Sequence, residues 1–176
     1  MVKHKPLPPL EELKKYLYLD ESSPSGLRWA DAKKKGVVPH AVAGKPNGNG
    51  YWSVGFNFER YLAHRLVFFM QTGIEPGDNT VDHVRGLNFP LDLRLATYGQ
   101  NSANSKKPTT GVCSKTTSRY KGVHWDKKAQ KWSSTICRNH KVKFLGYFDC
   151  EIEAALEYNS AAFKESGEFA RLNEIE

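Results

Sequence analysis

Residues 80–107 read TVDHVRGLNFPLDLRLATYGQNSANSKK. Two short apolar stretches, 80–84 and 93–96, flank a segment rich in turn formers (Gly86, Pro90), and a polar stretch opens at Thr97. That order predicts a hairpin followed by a helix, a ββα unit. The first strand carries Asp82-His83 and the helix carries Gln100, Asn101 and Asn104.

These side chains suit phosphodiester hydrolysis, which needs an activated water and charge relief on the phosphate and the leaving oxygen. A histidine near its ordinary pKa can accept the proton. A hard divalent cation held by oxygen ligands supplies the rest, with a carboxylate from Asp82 and an amide oxygen from Asn101. One geometric tension is visible already. Neighbouring strand residues point to opposite faces, so Asp82 and His83 cannot both face one pocket on an ideal strand. Either the backbone bends at 84–86 or the metal sits at the strand edge.

Upstream, Leu10, Leu13 and Leu17 predict a short amphipathic helix over 10–19. Strands are expected at 26–30 and 51–58, with a turn at 47–50. A helix over 59–72 follows, with Leu62, Leu66, Phe69 and Met70 on its apolar face and Gly73 as its cap. Downstream, residues 105–118 (SKKPTTGVCSKTTS) are small, polar and basic and read as a linker. Three strands are expected at 120–125, 131–138 and 141–148, with turns at 126–130 and 139–140. A helix over 151–166 ends at Gly167, its apolar face formed by Ile152, Ala155, Leu156, Asn159 and Phe163.

The 176 residues carry a net charge of +7, with 39% hydrophobic and 12% aromatic residues, which excludes a disordered tail. Charge is unevenly placed. Residues 111–148 hold nine Lys/Arg against one acid (+8), and residues 149–176 hold two against eight acids (−6). A cationic face for a polyanion and an anionic face that repels it are the expected result. There is no apolar run of about 18 residues for a membrane span, and the first residues lack the apolar stretch of a secretory signal. The expectation is a cytoplasmic protein with no membrane partner. Cys113, Cys137 and Cys150 form no Cys-x-x-Cys pair, which argues against zinc; all three are expected to be buried fillers.

Residues 61–107 resemble the HNH endonuclease family, particularly its small phage and intron-encoded, homing-type members. The likeness rests on Ala63-His64-Arg65-Leu66-Val67, Asp82-His83, Leu93-Arg94-Leu95-Ala96-Thr97 and Gln100-Asn101-x-x-Asn104-Ser105-Lys106-Lys107. It implies a ββα-metal site with His83 as general base and Asp82 and Asn101 as ligands of one divalent cation, magnesium or alternatively manganese. Asp92 stands where that family usually has a loop-tying Asn, and the loop before it is about three residues short. Asp92 can accept hydrogen bonds but cannot donate an amide proton. His64 is expected to be a hydrogen-bonded core histidine, and Asn104, like Asp92, a structural residue.

Residues 118–173 resemble the APETALA2/ethylene-response-factor domain, on Ser118-Arg119-Tyr120-Lys121-Gly122-Val123, Lys131-Trp132, Phe144-Leu145-Gly146-Tyr147-Phe148, Glu153-Ala154-Ala155, Tyr158-Asn159-x-Ala161-Ala162 and the ending at 167–173. The resemblance implies a three-stranded antiparallel sheet packed on one helix, with the sheet against double-stranded DNA. Arg119, Lys121, His124, Trp125, Lys127, Trp132, Arg138, Lys143 and Phe144 are the expected contacts. Lys121 and His124 stand where the family has arginines, so phosphate contacts should outweigh base readout.

The sequence therefore predicts an α+β protein: a nuclease domain over 1–107, a linker over 108–117 and a DNA-binding domain over 118–176. The expected activity is DNA endonuclease. The alternative is a non-catalytic DNA-binding regulator on a degenerate nuclease fold.

Overall fold

The computed structural model describes residues 4–30, 37–48, 50–107, 117–138 and 141–175. The chain divides into two units, Met1–Thr97 and Tyr98–Glu176. Helices and small antiparallel sheets mix in both, so the fold is α+β. Most of the expected linker, together with Cys113, the turn at 139–140 and Asn49, lies outside the described residues.

The first unit opens with α1 (Leu10–Tyr16), whose first turn carries Glu11 and Glu12 and whose last turn carries Lys14 and Lys15. That order complements the helix dipole. The helix stops short of the expected 10–19, because Leu17–Leu19 leaves as strand β1 and pairs antiparallel with β2 (Leu27–Trp29). Next comes a three-stranded sheet of β3 (Lys45–Pro46), β4 (Trp52–Phe56) and β5 (Glu59–Leu62), in that spatial order. Helix α2 (Ala63–Thr72) starts four residues later than expected, since Glu59–Leu62 pairs with β4 instead. It ends at Gly73, in the left-handed region at φ 71°, whose N–H reaches the Phe69 carbonyl at 2.8 Å. Ala63, Leu66, Val67 and Met70 of α2 close a core with Leu13, Leu17, Leu27, Val54 and Phe56.

Buried Arg65 does a different job on the same helix. Its guanidinium donates to the carbonyls of Asn79 (2.8 Å) and Gly77 (2.5 Å) and so ties down the turn that leads into the next strand. That strand, β6 (Thr80–His83), pairs antiparallel with β7 (Leu93–Ala96), with Asp82 opposite Arg94 and His83 opposite Leu93.

In the second unit, α3 (Tyr98–Asn104) precedes a sheet of β8 (Val123–Asp126), β9 (Lys131–Arg138) and β10 (Lys141–Phe148), in the order β10-β9-β8. Helix α4 (Glu151–Ser166) packs on that sheet and ends at Gly167. Its buried face is Ala154, Ala155, Tyr158 and Ala162. This corrects the expected face: Leu156 and Phe163 are 51% and 62% exposed, because small alanines and one tyrosine let the helix lie close to the sheet. Gly122 sets that closeness. At φ +77° an added Cβ would fall 2.1 Å from the Tyr158 ring and 2.5 Å from the Thr135 carbonyl oxygen. Cys137 and Cys150 are exposed, not buried as expected. Cys137 lies on the side of β9 away from α4, and Cys150 is the residue that precedes α4.

The boundary at 97/98 differs from the expected one after 107. α3 belongs with the second unit because Ala103 is buried there and its carbonyl accepts from the Arg171 N–H (3.3 Å) and the Lys121 ammonium (2.9 Å). Among the described residues, no helix is long and apolar enough to cross a membrane.

Candidate functional site

His83 ends β6 with its ring against two others. The His64 ring centroid is 5.3 Å away, the Tyr51 centroid is 6.0 Å away, and Tyr51 and His64 are themselves 5.2 Å apart. The trio draws on three elements: the lead into β4, the first turn of α2 and the end of β6. Tyr51, His64 and His83 help wall a pocket of about 20 Å³ with Ser25 and Leu87. That is room for one water and no more. Burial lowers the pKa of His83, while the charges of Asp82 and Asp92 pull the other way. Burial, then repulsion from His83, lowers His64 to about 3. Both rings are therefore neutral near pH 7. Sequence reasoning placed His64 in the core but missed its ring contact with His83, and it did not single out Tyr51.

Asp82 points elsewhere. Its carboxylate is buried and accepts from Arg94 Nε at 3.1 Å, across the hairpin. Strand alternation puts His83 on the opposite face, so the tension visible in the sequence persists in the fold. The partner of Arg94 follows from the strand register, which a sequence without a fixed loop conformation does not reveal. The loop itself is tied without an asparagine. Asp92 accepts from Arg85 Nε at 2.5 Å, the Arg85 guanidinium lies 4.1 Å from the Phe89 ring centroid, and the Asp92 carbonyl accepts from the Val84 N–H at 3.0 Å.

Asn101 and Asn104 stand on α3, in the second unit, whereas Asp82 and His83 stand in the first. Among the described residues, no three His, Cys, Asp or Glu side chains come together as a metal cluster. Within the first unit, Asp82 offers a carboxylate oxygen, a hard donor of the kind that magnesium takes beside phosphate and water.

The expected DNA contacts are divided between the two faces of the β8–β10 sheet. Trp125 and Trp132 are cross-strand partners with rings 5.2 Å apart, and Trp132 packs with Tyr120, Val123 and Ala155 on the α4 side. Arg138 and Lys143 turn to the same side, 3.7 and 3.9 Å from the Glu165 carboxylate of α4. Part of the strand charge is therefore answered within the unit. On the open side, Phe144 is 53% and Tyr147 47% exposed, with their rings 4.9 Å apart. His124 and Lys127 are exposed. Lys121 is occupied: its ammonium donates to the carbonyls of Ala103 (2.9 Å) and Ser105 (2.6 Å), and burial lowers its pKa to about 8. Arg119 is exposed and leans on Tyr120, its guanidinium 5.0 Å from the ring centroid.

These features define a two-unit α+β protein with a histidine-bearing hairpin in one unit and a three-stranded sheet backed by a helix in the other. Over 81 residues the chain is 36% identical to Protein 3.8 of Escherichia phage T7, a stretch that covers 44% of this chain and 63% of that protein. The chain thus spans less than two thirds of that relative's length. No protein-family model matches it, and no solved structure matches it.

Proposed function

We propose that the chain is a DNA endonuclease of the HNH, ββα-metal kind, carrying a DNA-binding domain of the APETALA2/ethylene-response-factor type. The observation that carries this reading is His83: a half-buried, neutral imidazole between two other rings, on the wall of a pocket sized for one water. A neutral imidazole accepts a proton at its bare nitrogen. A water that attacks phosphorus loses its proton to His83 as the 3′ oxygen leaves. His64 and Tyr51 fix the ring plane and crowd out alternative rotamers. A magnesium or manganese ion, when bound, would relieve charge on the phosphate and the leaving oxygen. Asp82 would hold it through a hard oxygen, and Asn101 is the second ligand that the family resemblance implies. Zinc has no part in this reading.

The relative from a phage is in keeping with a phage or mobile-element origin, and the host cytosol is the compartment that origin implies. Double-stranded DNA is the proposed partner. The nonspecific balance of the open sheet face, aromatic and weakly cationic, favours positioning over readout.

A second reading has an observation of its own. The Arg94 guanidinium already neutralises Asp82. A hairpin with that ion pair in place is consistent with a DNA-binding regulator that retains the fold without the chemistry. Plasmid nicking with and without magnesium separates the two. The endonuclease reading expects magnesium-dependent nicking that His83→Ala lowers by about 10²–10⁴, with duplex affinity within a few-fold of the parent. No nicking by the parent under any divalent cation, with duplex binding intact, would leave the regulator.

A further inference from the structure

The second unit contains a cleft apart from the open sheet face, and two of the expected DNA contacts, Arg119 and Lys121, line it. It is open, about 390 Å³, and bounded by the end of α3 and the last residues of the chain. Lys106, Lys107, Arg119, Lys121 and Arg171 line it against a single acid, Glu174, so five positive charges less one negative leave +4.

Two of the five are fixed in place. The Lys107 ammonium donates to the carbonyls of Ser118 (2.7 Å), Tyr120 (2.7 Å) and Val123 (3.3 Å), which uses all three of its protons. Lys121 is held by Ala103 and Ser105. They form an immobile positive background on the cleft wall. The far wall is equally constrained. Asn173 donates its N–H to Asn159 Oδ1 (2.7 Å), accepts the Lys121 N–H (2.7 Å) and donates its amide to the Lys121 carbonyl (3.1 Å). Arg171 is anchored by its N–H to Ala103. Lys106 and Arg119 are exposed on this frame and Arg171 is half-buried.

We propose that this cleft is a binding site for nucleic-acid backbone phosphates, separate from the open face of the sheet. A fixed cationic background with reachable Lys and Arg heads at its rim is what a run of phosphates requires. The open sheet face is poorer in charge, since Arg138 and Lys143 point to Glu165 and Lys131 lies 3.1 Å from Asp149. The proposal rests on the DNA-binding reading and relocates its main phosphate anchor.

The test uses the full chain and a fluorescein-labelled duplex of random sequence, titrated from about 50 to 200 mM salt. Lys106→Gln with Arg171→Gln should flatten the slope of log K against log salt by roughly two, at about 0.9 per lost phosphate contact. Lys127→Gln with Lys128→Gln, which removes the same charge from the β8–β9 turn, should flatten it less. Melting curves report folding, and Lys106→Gln with Arg119→Gln, both exposed, serves if the Arg171 change unfolds the unit. Equal slopes for cleft and turn variants would overturn the cleft while duplex binding stands. If the parent chain does not bind duplex at low salt, both readings fall. Poly-glutamate displacing the duplex at equal charge concentration would assign the cleft to acidic protein instead.

Discussion

His64 occupies a place where a second charge is costly. It is largely enclosed, His83 faces it at 5.3 Å, and Arg65 and His4 add positive charge nearby, so its pKa falls from 6.5 to about 3. The folded state therefore binds fewer protons at this residue than the unfolded chain does between those values. Its contribution to stability is complete above pH 6.5 and is lost as the pH falls toward 3. Replacing it with the uncharged His64→Gln should remove up to one proton of pH dependence, about 1.4 kcal/mol per pH unit. Urea unfolding of both proteins from pH 7 to 4 checks this: the difference in stability should shrink as the pH falls, and parallel curves would show that His64 is freely protonated in the fold. The residue types around it were legible in the sequence, His83 and Asp82 above all. Their partners were not. Arg94 meets Asp82, and Tyr51 and His64 meet His83, only once strand register and the path of α2 are fixed.

At the level of elements, the β4–β5 hairpin shows what turn chemistry hides. Asn57 and Phe58 both take positive φ, 49° and 65°, and Phe58 is fully exposed at the tip. Such two-residue turns favour Asn-Gly, and a bulky residue there sits in strained backbone. Phe58→Gly should stabilise the first unit by about 0.5–1.5 kcal/mol, read as a higher midpoint in urea at unchanged slope. A lower midpoint would mean that the phenyl ring contributes packing the exposed position does not suggest. The same turn explains why the sequence ran Tyr51 to Phe58 together as one strand and began α2 at Glu59: no glycine marks the reversal. Where punctuation is explicit, the reading held. Gly73 ends α2, Gly167 ends α4, and β9 and β10 fall at 131–138 and 141–148 as expected. The buried face of α4 differs from the expected one because Gly122 and the alanines bring helix and sheet too close for Leu156 and Phe163.

At the scale of the whole molecule, the second unit begins at Tyr98. Residues 105–118 look like a linker by composition, and a sequence-based cut at 118 would separate α3 from the sheet. The fold makes α3 and the residues after it part of the frame. Lys107 satisfies three carbonyls at 118–123, and Lys121 and Arg171 satisfy those at 103 and 105. Without 98–107 these groups lose their partners, and the half-buried Lys121 ammonium loses the carbonyls of Ala103 and Ser105. Hydrogen bonds to charged groups contribute about 1.5–3 kcal/mol each, and 1 kcal/mol moves the midpoint of a domain this size by about 4–8 °C. A polypeptide of 98–176 should therefore melt cooperatively, and one of 118–176 should melt roughly 10 °C lower or not fold at all. Circular dichroism melts of the two measure this directly. Lys121→Met in the longer polypeptide should reproduce part of the loss, since it removes the bonds to the carbonyls of Ala103 and Ser105 while leaving the apolar stem. Coincident melts of the two polypeptides would mean that α3 adds nothing to the sheet and α4, and that the second unit begins where the sequence alone had placed it.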